Sequence, residues 1–154
     1  MAAPPSGKDF RFAIVASRWN DSIVSRLING AFEALREAAV ADDTIAVYRV
    51  PGAFELPLCA FKAAASDKFD AVICLGVIIR GETPHFDFIA GEAARGISEA
   101  SLKTGIPVMF GVITAENVEQ ANARAGSRQD NKGFEAARAA VEVVNLYRDA
   151  FGSN

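Results

Sequence analysis

The stretch AVICLGVIIRGETPHF, residues 71–86, begins with an apolar run, 71–79, that shows almost no alternation of polar and apolar side chains. Such a run is typical of a strand that is covered on both faces, as a central strand of a parallel sheet is. Arg80 and Gly81 follow it directly, and His85, the only histidine of the chain, comes shortly after. The stretch therefore predicts a central buried strand whose carboxyl end carries a polar loop.

Apolar strand patterns alternate with helical patterns on both sides of this stretch. The predicted strands are 10–17, 44–50, 71–79 and 108–113, and the predicted helices are 22–39, a short helix ending near 66, 84–103, 114–126 and a last amphipathic helix ending near 151. Asn20 or Asp21 is expected to cap the first helix, Thr83 the third with Pro84 at its first position, and Thr114 the fourth. Gly105 is expected to end the third helix.

Alternating strands and helices predict an α/β fold, because right-handed crossovers place helices on both faces of a parallel sheet. We expect a three-layer α/β/α sandwich with a four-stranded parallel sheet in the flavodoxin-like order 2-1-3-4. Residues 1–9 are interpreted as a flexible lead-in and 10–154 as a single domain. Ligands of such sheets bind beyond the carboxyl ends of the strands, which selects the loops 18–21, 51–55 and 80–85 and the segment 110–114.

Composition and motifs exclude several classes of protein. A net charge of −3 over 154 residues argues against binding to nucleic acid or to acidic membranes, and no apolar run reaches the length of a membrane span. Cys59 and Cys74 lack metal-site spacing and are interpreted as reduced core thiols of a cytoplasmic protein. The chain has no phosphate-binding P-loop, no dinucleotide fingerprint, no nucleophilic triad and no flavodoxin-type or receiver-type first loop, and no metal site is expected.

The loop after the central strand has the residues for an anion site and for a proton carrier. The first amides of the helix that opens at 81–83 have no partners within the helix, and the helix dipole favours an anion such as phosphate there. The same dipole favours the neutral imidazole at His85, which can then carry a proton. An alternative stays open for the loop, which could merely cap a helix with His85 at a polar edge. Arg80 also has two possible roles, since it either anchors the anion or pairs with a carboxylate that orders the loop.

Other candidates occupy the remaining loops. Trp19 either stacks on a planar ligand or packs at the edge of the core, and Glu55 either accepts hydroxyl groups or only favours the start of a helix. Arg124, Arg128 and Lys132 form either a solvated helix end or a phosphate site that a second copy of the chain completes. These residues indicate a planar substrate bearing phosphate and a proton-transfer reaction.

Six blocks of sequence resemble the 6,7-dimethyl-8-ribityllumazine synthase family of riboflavin biosynthesis, and the resemblance covers about 12–151. The blocks are RFAIVASRWN, VPGAFELP, GVIIRGETPHFDFI, FGVIT, EQANARAG and DNKGFEAA. The family condenses 5-amino-6-(D-ribitylamino)uracil with 3,4-dihydroxy-2-butanone 4-phosphate and uses neither a metal nor a redox cofactor. The resemblance therefore implies this reaction, with Schiff-base formation, phosphate elimination, ring closure and loss of water.

The resemblance also implies roles for individual residues. His85 would be the proton donor and acceptor, and Glu82 and Thr83 would hold the phosphate through main-chain amides together with Arg124 of a neighbouring chain. The site for the ribitylaminouracil would consist of Trp19, Ala53, Phe54, Glu55, Val77, Ile78, Ile79, Lys132 and, from the neighbouring chain, Phe110. Two positions depart from the family pattern: Trp19 replaces the more usual phenylalanine, and Asp130 replaces a glycine whose backbone angles it is expected to adopt.

The family further implies a homo-oligomer, because its members form pentamers and some pack twelve pentamers into an icosahedral shell. The turn between the last two helices carries no insertion of the kind associated with pentamer-only members, which favours the shell. The alternatives are a related riboflavin-pathway enzyme on the same fold, which the complete RGETPHFD block disfavours, and a non-catalytic shell-forming or ligand-binding protein. Binding without product formation would indicate the latter.

Overall fold

The computed structural model describes residues 4–152, in which four strands alternate with five helices. The strands are β1 (Phe12–Ser17), β2 (Ile45–Val50), β3 (Ala71–Ile79) and β4 (Val108–Ala115), and the helices are α1 (Asp21–Glu37), α2 (Leu56–Ala64), α3 (His85–Thr104), α4 (Val118–Ala123) and α5 (Lys132–Phe151). Of the predicted lead-in, residues 1–3 lie outside the described part, as do 153–154 at the other end. The flexibility of 1–9 stays a prediction.

The sheet has the order β2-β1-β3-β4, and all three strand pairs are parallel, as predicted. β3 lies inside the sheet, and all of its residues but the last are buried. Its apolar run requires this position, because a strand between two neighbours has helices over both faces.

Two hydrophobic clusters, one on each face of the sheet, form the core. Along β1, Phe12, Ile14 and Ala16 belong to the cluster beneath α1 and α5, whereas Ala13 and Val15 belong to the cluster beneath α2 and α3. The alternation follows the two-residue period of a strand. The predicted three layers are therefore confirmed.

The predicted helix cap at Thr114 is wrong. Thr114 caps no helix, because β4 continues to Ala115, which pairs with Ile79 at the end of β3. The fourth helix begins only at residue 118, and the side chain of Asn117 caps it by accepting a hydrogen bond of 2.9 Å from the Gln120 amide. The segment 110–114 is thus part of a strand and does not form a loop.

The other helix ends differ less from prediction. Asn20 precedes α1, but its side chain forms no capping hydrogen bond, and its φ of 63° places it in the left-handed region that asparagine tolerates. Pro84, not Thr83, is the cap of α3, although the Thr83 hydroxyl accepts a long hydrogen bond of 3.4 Å from the His85 amide. Gly105 ends α3 with a φ of 73°, as predicted.

Neither cysteine forms a disulfide: Cys74 is buried and Cys59 is half-buried. Burial raises the pKa of the Cys74 thiol, which keeps it protonated. Residues 4–152 hold no cluster of three or more side chains suited to a metal ion. Within the same range, every helix is too short or too polar to cross a bilayer.

Ser17, the last residue of β1, carries a buried hydroxyl that has no hydrogen-bond partner among the described residues. It faces Gly76 of β3, where an added Cβ would lie 3.0 Å from the Ser17 Oγ. Removing a hydroxyl that is already desolvated and unpaired costs little. We therefore expect Ser17→Ala to leave the free energy of unfolding in urea unchanged or to raise it by about 1 kcal/mol.

Ser101 provides the control. Its hydroxyl donates a hydrogen bond of 2.8 Å to the Ile106 carbonyl and accepts one of 3.2 Å from the Val108 amide. Ser101→Ala should therefore lower the free energy of unfolding by about 1–2 kcal/mol. An equal loss in both variants would show that the Ser17 hydroxyl has a partner after all.

Candidate active site

The carboxyl edge of the sheet has a gap where β1 stops short of β3. The last paired residues of these strands are Ala16 and Leu75, yet β3 continues to Ile79. After β1 the chain bends towards β2, because the Trp19 amide donates a hydrogen bond of 3.0 Å to the Pro51 carbonyl. Residues 77–79 therefore have no strand partner on the β1 side, and their peptide groups on that side face the gap.

Val77 and Ile78 offer only backbone to this gap, because their side chains are buried in the two cores. Ile79 is half-buried at the strand end. The sequence prediction that these three residues present backbone groups agrees with this geometry, although their contact with a ligand stays a prediction.

Trp19 and the segment 51–55 meet on one side of the gap. The indole ring lies over Gly52, where an added Cβ would be 2.5 Å from Cε3 and Cζ3 of the ring, so a side chain at position 52 would displace the ring. Trp19 remains 66% exposed, and Phe54 is 57% exposed. Ala53, next to Phe54 in the sequence, is buried. Two large aromatic surfaces are thus open to solvent beside the gap, and the stacking of Trp19 on a ligand stays a prediction.

Glu55 has a structural role in the same segment. Its Oε1 accepts a hydrogen bond of 2.9 Å from the Gly52 amide and so closes the turn that carries Ala53 and Phe54. Its second carboxylate oxygen has no hydrogen bond to any residue of the described chain. Glu55 therefore shapes the loop and keeps one acceptor available.

Arg80, at the other side of the gap, is occupied by structural pairing. Its guanidinium contacts the carboxylates of Asp87 at 3.3 Å and Glu116 at 2.7 Å and lies over the Phe86 ring, 4.4 Å from the centroid. The hydrogen bond to Asp87 is the main cause that raises the pKa of Arg80. Its amide also donates to the Ala115 carbonyl at 2.8 Å. Arg80 thus connects the loop to β4. Because its guanidinium is paired with two carboxylates, a bound phosphate would be held by other groups.

The amides of 81–83 donate no hydrogen bond to any of the residues 4–152. They lie immediately before α3, a helix of 20 residues whose dipole adds positive potential at this end. His85 is the exposed first residue of that helix. Free amides, a helix N-terminus and an imidazole are therefore within one turn of each other.

The three cationic residues predicted to lie close together, Arg124, Arg128 and Lys132, divide into two sets. Arg128 contacts Glu33 and Glu37 of α1 and lies over the Phe134 ring, 5.1 Å from its centroid. Its charge is therefore used in contacts within the chain. Arg124 and Lys132 instead line an open concavity of about 480 Å³ beside β4. The other lining residues are Val112, Ile113, Thr114, Ala123, Gln129, Asp130, Asn131 and Glu135.

Asn131, which is not among the predicted site residues, holds this cationic segment in place. It is 3% exposed; its Nδ2 donates to the carbonyls of Arg26 at 3.0 Å and Gly126 at 2.9 Å, and its Oδ1 accepts from the Phe134 amide at 3.0 Å. The signal was available, since asparagine is a favoured residue immediately before a helix.

Asp130 is not among the residues with a positive φ, so it tolerates its backbone angles without the conformational freedom of glycine. It ends a 3-10 turn, Arg128–Asp130, and the positive φ of this segment, 47°, belongs to Arg128. The replacement of glycine at this position therefore adds a carboxylate without backbone strain.

The sequence-predicted residues form two separate groups within one chain. Trp19, residues 53–55, the end of β3 and the loop to His85 surround the gap, whereas Arg124 and Lys132 lie beyond the other edge of the sheet. Phe110 is 36% exposed in mid-strand on β4, where it pairs with Cys74, well before the carboxyl edge. The concavity that holds the two cations includes no residue of the first group.

Comparison with known proteins shows which family the chain belongs to. Residues 9–148 match the family model described as 6,7-dimethyl-8-ribityllumazine synthase. The chain is 57% identical to the protein of that name from Chlorobium luteolum, with 94% of this chain and 93% of the relative covered. It is 58% identical to the one from Chlorobium limicola (93% and 92% covered) and 53% identical to the one from Syntrophus aciditrophicus (92% of both covered). With this extent of identity over nearly its whole length, the chain belongs to the 6,7-dimethyl-8-ribityllumazine synthase family.

Proposed function

We propose that this protein condenses 5-amino-6-(D-ribitylamino)uracil with 3,4-dihydroxy-2-butanone 4-phosphate to give 6,7-dimethyl-8-ribityllumazine, phosphate and water, the penultimate step of riboflavin biosynthesis. Besides membership of the family, one observation supports this most: the unpaired amides of 81–83 and the imidazole of His85 share the N-terminus of α3. An anion and a transferable proton are favoured together there.

The ribitylaminouracil would bind in the gap between β1 and β3. Its flat ring would stack on the exposed face of Trp19, and aromatic stacking of this kind contributes about 0.5–1.5 kcal/mol beyond the buried area. Phe54 would extend the aromatic surface over Ala53, and the free carboxylate oxygen of Glu55 would accept ribityl hydroxyls. The peptide groups of 77–79, which lack a strand partner, would hydrogen-bond to the ring edge.

The butanone phosphate would lie against the start of α3. The main-chain amides of Glu82 and Thr83 would hold its phosphate, and His85 would move protons during Schiff-base formation, phosphate elimination and ring closure. The two substrates combine without an oxidant or a reductant, so we expect no cofactor and no metal. Holding the reactants together can supply roughly 7–11 kcal/mol, whereas one acid–base group contributes about 10²–10⁴ in rate. We infer that positioning is the larger contribution.

A second copy of the chain would complete this site. Phe110, Arg124 and Lys132 lie at or beyond the β4 edge, away from the gap beside β1, so they would serve the gap of a neighbouring chain. Phe110 would close over the uracil ring, Lys132 would reach the ribityl chain, and Arg124 would reach the phosphate. We propose that the protein is a cytoplasmic homopentamer. We further propose that twelve such pentamers form an icosahedral shell, because the turn between α4 and α5 lacks an insertion of the kind associated with pentamer-only members of the family. Multi-angle light scattering distinguishes five chains from sixty, and a monomer that is active would contradict the shared site.

A turnover assay tests the reaction. Purified protein is mixed with the two substrates, and the absorbance of the lumazine is followed against a control without protein, because the substrates also react spontaneously. We expect formation well above this background, with saturation in both substrates. If the folded, assembled protein binds the ribitylaminouracil but forms no lumazine above background, it is the non-catalytic alternative, a ligand-binding member of the fold.

Arg124→Ala tests the phosphate contact. A hydrogen bond to a charged group contributes about 1.5–3 kcal/mol, so we expect the KM for butanone phosphate to rise about tenfold or more, with little change in the KM for the ribitylaminouracil. Steady-state kinetics with each substrate varied in turn measures both values.

Arg128→Ala is the matched control for this prediction. It removes the same charge from the same segment, but Arg128 faces Glu33 and Glu37 of α1, so both KM values should stay near those of the parent protein. An equal rise in the two KM values of Arg124→Ala would mean that the residue only maintains the assembly.

A further inference from the structure

The segment 124–132 is a small hairpin, and its pairing decides which side chains share a face. The Lys132 amide donates to the Arg124 carbonyl at 2.8 Å, and the Gly126 amide donates to the Asp130 carbonyl at 2.9 Å. Between them, Ala125 and Asn131 form an antiparallel bridge.

Side chains alternate between the two faces of such a pair. Ala125 and Asn131 are both buried, so their face points into the protein. Arg124, Asp130 and Lys132 consequently share the outer face, and all three line the same concavity. Arg124 stands opposite Lys132, which makes Asp130 the diagonal neighbour of Arg124.

The Asp130 carboxylate is free at this position. Its side chain is exposed and forms no hydrogen bond or ion pair with the residues that the structure describes, and Gly126 across the hairpin has no side chain to cover it. The second carboxylate of the concavity, Glu135, already faces the Lys132 ammonium at 3.9 Å. Asp130 is therefore the unpaired negative charge beside the arginine that would bind phosphate.

We propose that Asp130 is a specificity-determining residue that weakens the binding of phosphate groups at Arg124. This inference rests on the proposed function, because it concerns the same anion site. A phosphate bound at Arg124 is repelled by the Asp130 carboxylate, which limits the affinity for the phosphate-bearing substrate. The same repulsion favours departure of the inorganic phosphate that the reaction releases. The uncharged ribitylaminouracil is not affected.

The size of this effect follows from distance and screening. Diagonal neighbours in an antiparallel pair lie roughly 7–8 Å apart. If the bound phosphate lies about 7–8 Å from the Asp130 carboxylate as well, one negative charge in a solvent-exposed site weakens the binding of a dianion about fourfold at ~10 mM ionic strength and about twofold at ~0.15 M. At ~1 M salt, where the Debye length is about 3 Å, the effect is nearly lost.

The experiment measures the dissociation constant of inorganic phosphate on the intact assembled protein, by calorimetry at low and at high ionic strength. We expect Asp130→Asn, which keeps the shape and removes the charge, to bind phosphate about fourfold more tightly at ~10 mM ionic strength and no differently at ~1 M. Asp130→Glu keeps the charge and should bind phosphate like the parent protein. Asp43→Asn makes the same change in the turn before β2, at the opposite end of the sheet, and should have no effect.

Three results would overturn the inference. The first is an unchanged or weaker phosphate affinity in a folded, assembled Asp130→Asn protein. The second is an equal gain in Asp43→Asn, which would assign the effect to net charge, and the third is a gain that persists at high salt. If Arg124→Ala abolishes phosphate binding while Asp130→Asn changes nothing, only this inference fails. If the parent protein neither binds phosphate nor forms lumazine, the proposed function fails with it.

Discussion

Replacing His85 by alanine is expected to lower kcat by about 10²-fold or more while leaving turnover measurably above the spontaneous reaction. One positioned acid–base group contributes about 10²–10⁴ in rate, and His85 is the only imidazole in the chain. The free amides of 81–83 and the open aromatic surface of Trp19 remain in the variant. They would still hold both substrates in place, so a large part of the acceleration should survive.

The measurement is steady-state lumazine formation, with added imidazole as a second condition. His85 is exposed at the start of α3, so the variant should fold and assemble, and imidazole from solution should enter the vacated position and restore part of the rate. Loss of all turnover in a folded protein would contradict the view that positioning contributes more than proton transfer. A decrease of less than about threefold would contradict the role of His85 as proton carrier.

Gly133→Ala is expected to lower the free energy of unfolding by about 3 kcal/mol or more. A Cβ at this position would lie 2.0 Å from the carbonyl oxygen of Leu27, an atom of the α1 backbone that no side-chain rotation can move away. The start of α5 must then separate from α1. Because the neighbouring residues Asn131 and Lys132 belong to the cationic hairpin, the anion site should be disturbed as well.

Urea unfolding measures this loss, and Gly91→Ala is the matched control. Gly91 lies inside α3, and a Cβ added there meets nothing within 4 Å. Alanine should therefore raise the stability of that helix by roughly 0.5–1 kcal/mol. If the two variants proved equally stable, close packing of α1 on α5 would not be what requires glycine at position 133.

The sequence predicted the sheet better than the helix caps, and the reason is physical. The bounds of β3 and the strand order follow from apolar runs and from the handedness of crossovers, both of which are properties of the chain itself. The cap at Thr114 failed because β4 extends to Ala115 only through its pairing with the long β3. Local residue preference indicates a possible cap, but tertiary hydrogen bonding decides whether the helix begins there.

For the site, sequence reasoning found the loops but not the orientation of individual charges. Arg124 and Arg128 are four residues apart with the same chemistry, and only the fold shows that Arg128 contacts α1 while Arg124 faces the concavity. Arg80 likewise had two open roles until its carboxylate partners were located. The structural role of Asn131 depends on partners as distant in sequence as Arg26, which a reading of neighbouring residues does not reveal.

The separation of the two residue groups on one chain has a consequence for how substitutions are tolerated. If the proposed division holds, His85 and Arg124 of one polypeptide never work on the same substrate molecule. Two different defective alleles expressed together would then rebuild intact pockets wherever a sound half of one chain meets a sound half of the other. A cell that expresses both alleles would retain riboflavin synthesis that neither allele supports alone, because a substitution on the β4 edge damages the pocket of the neighbouring chain and not the pocket of its own.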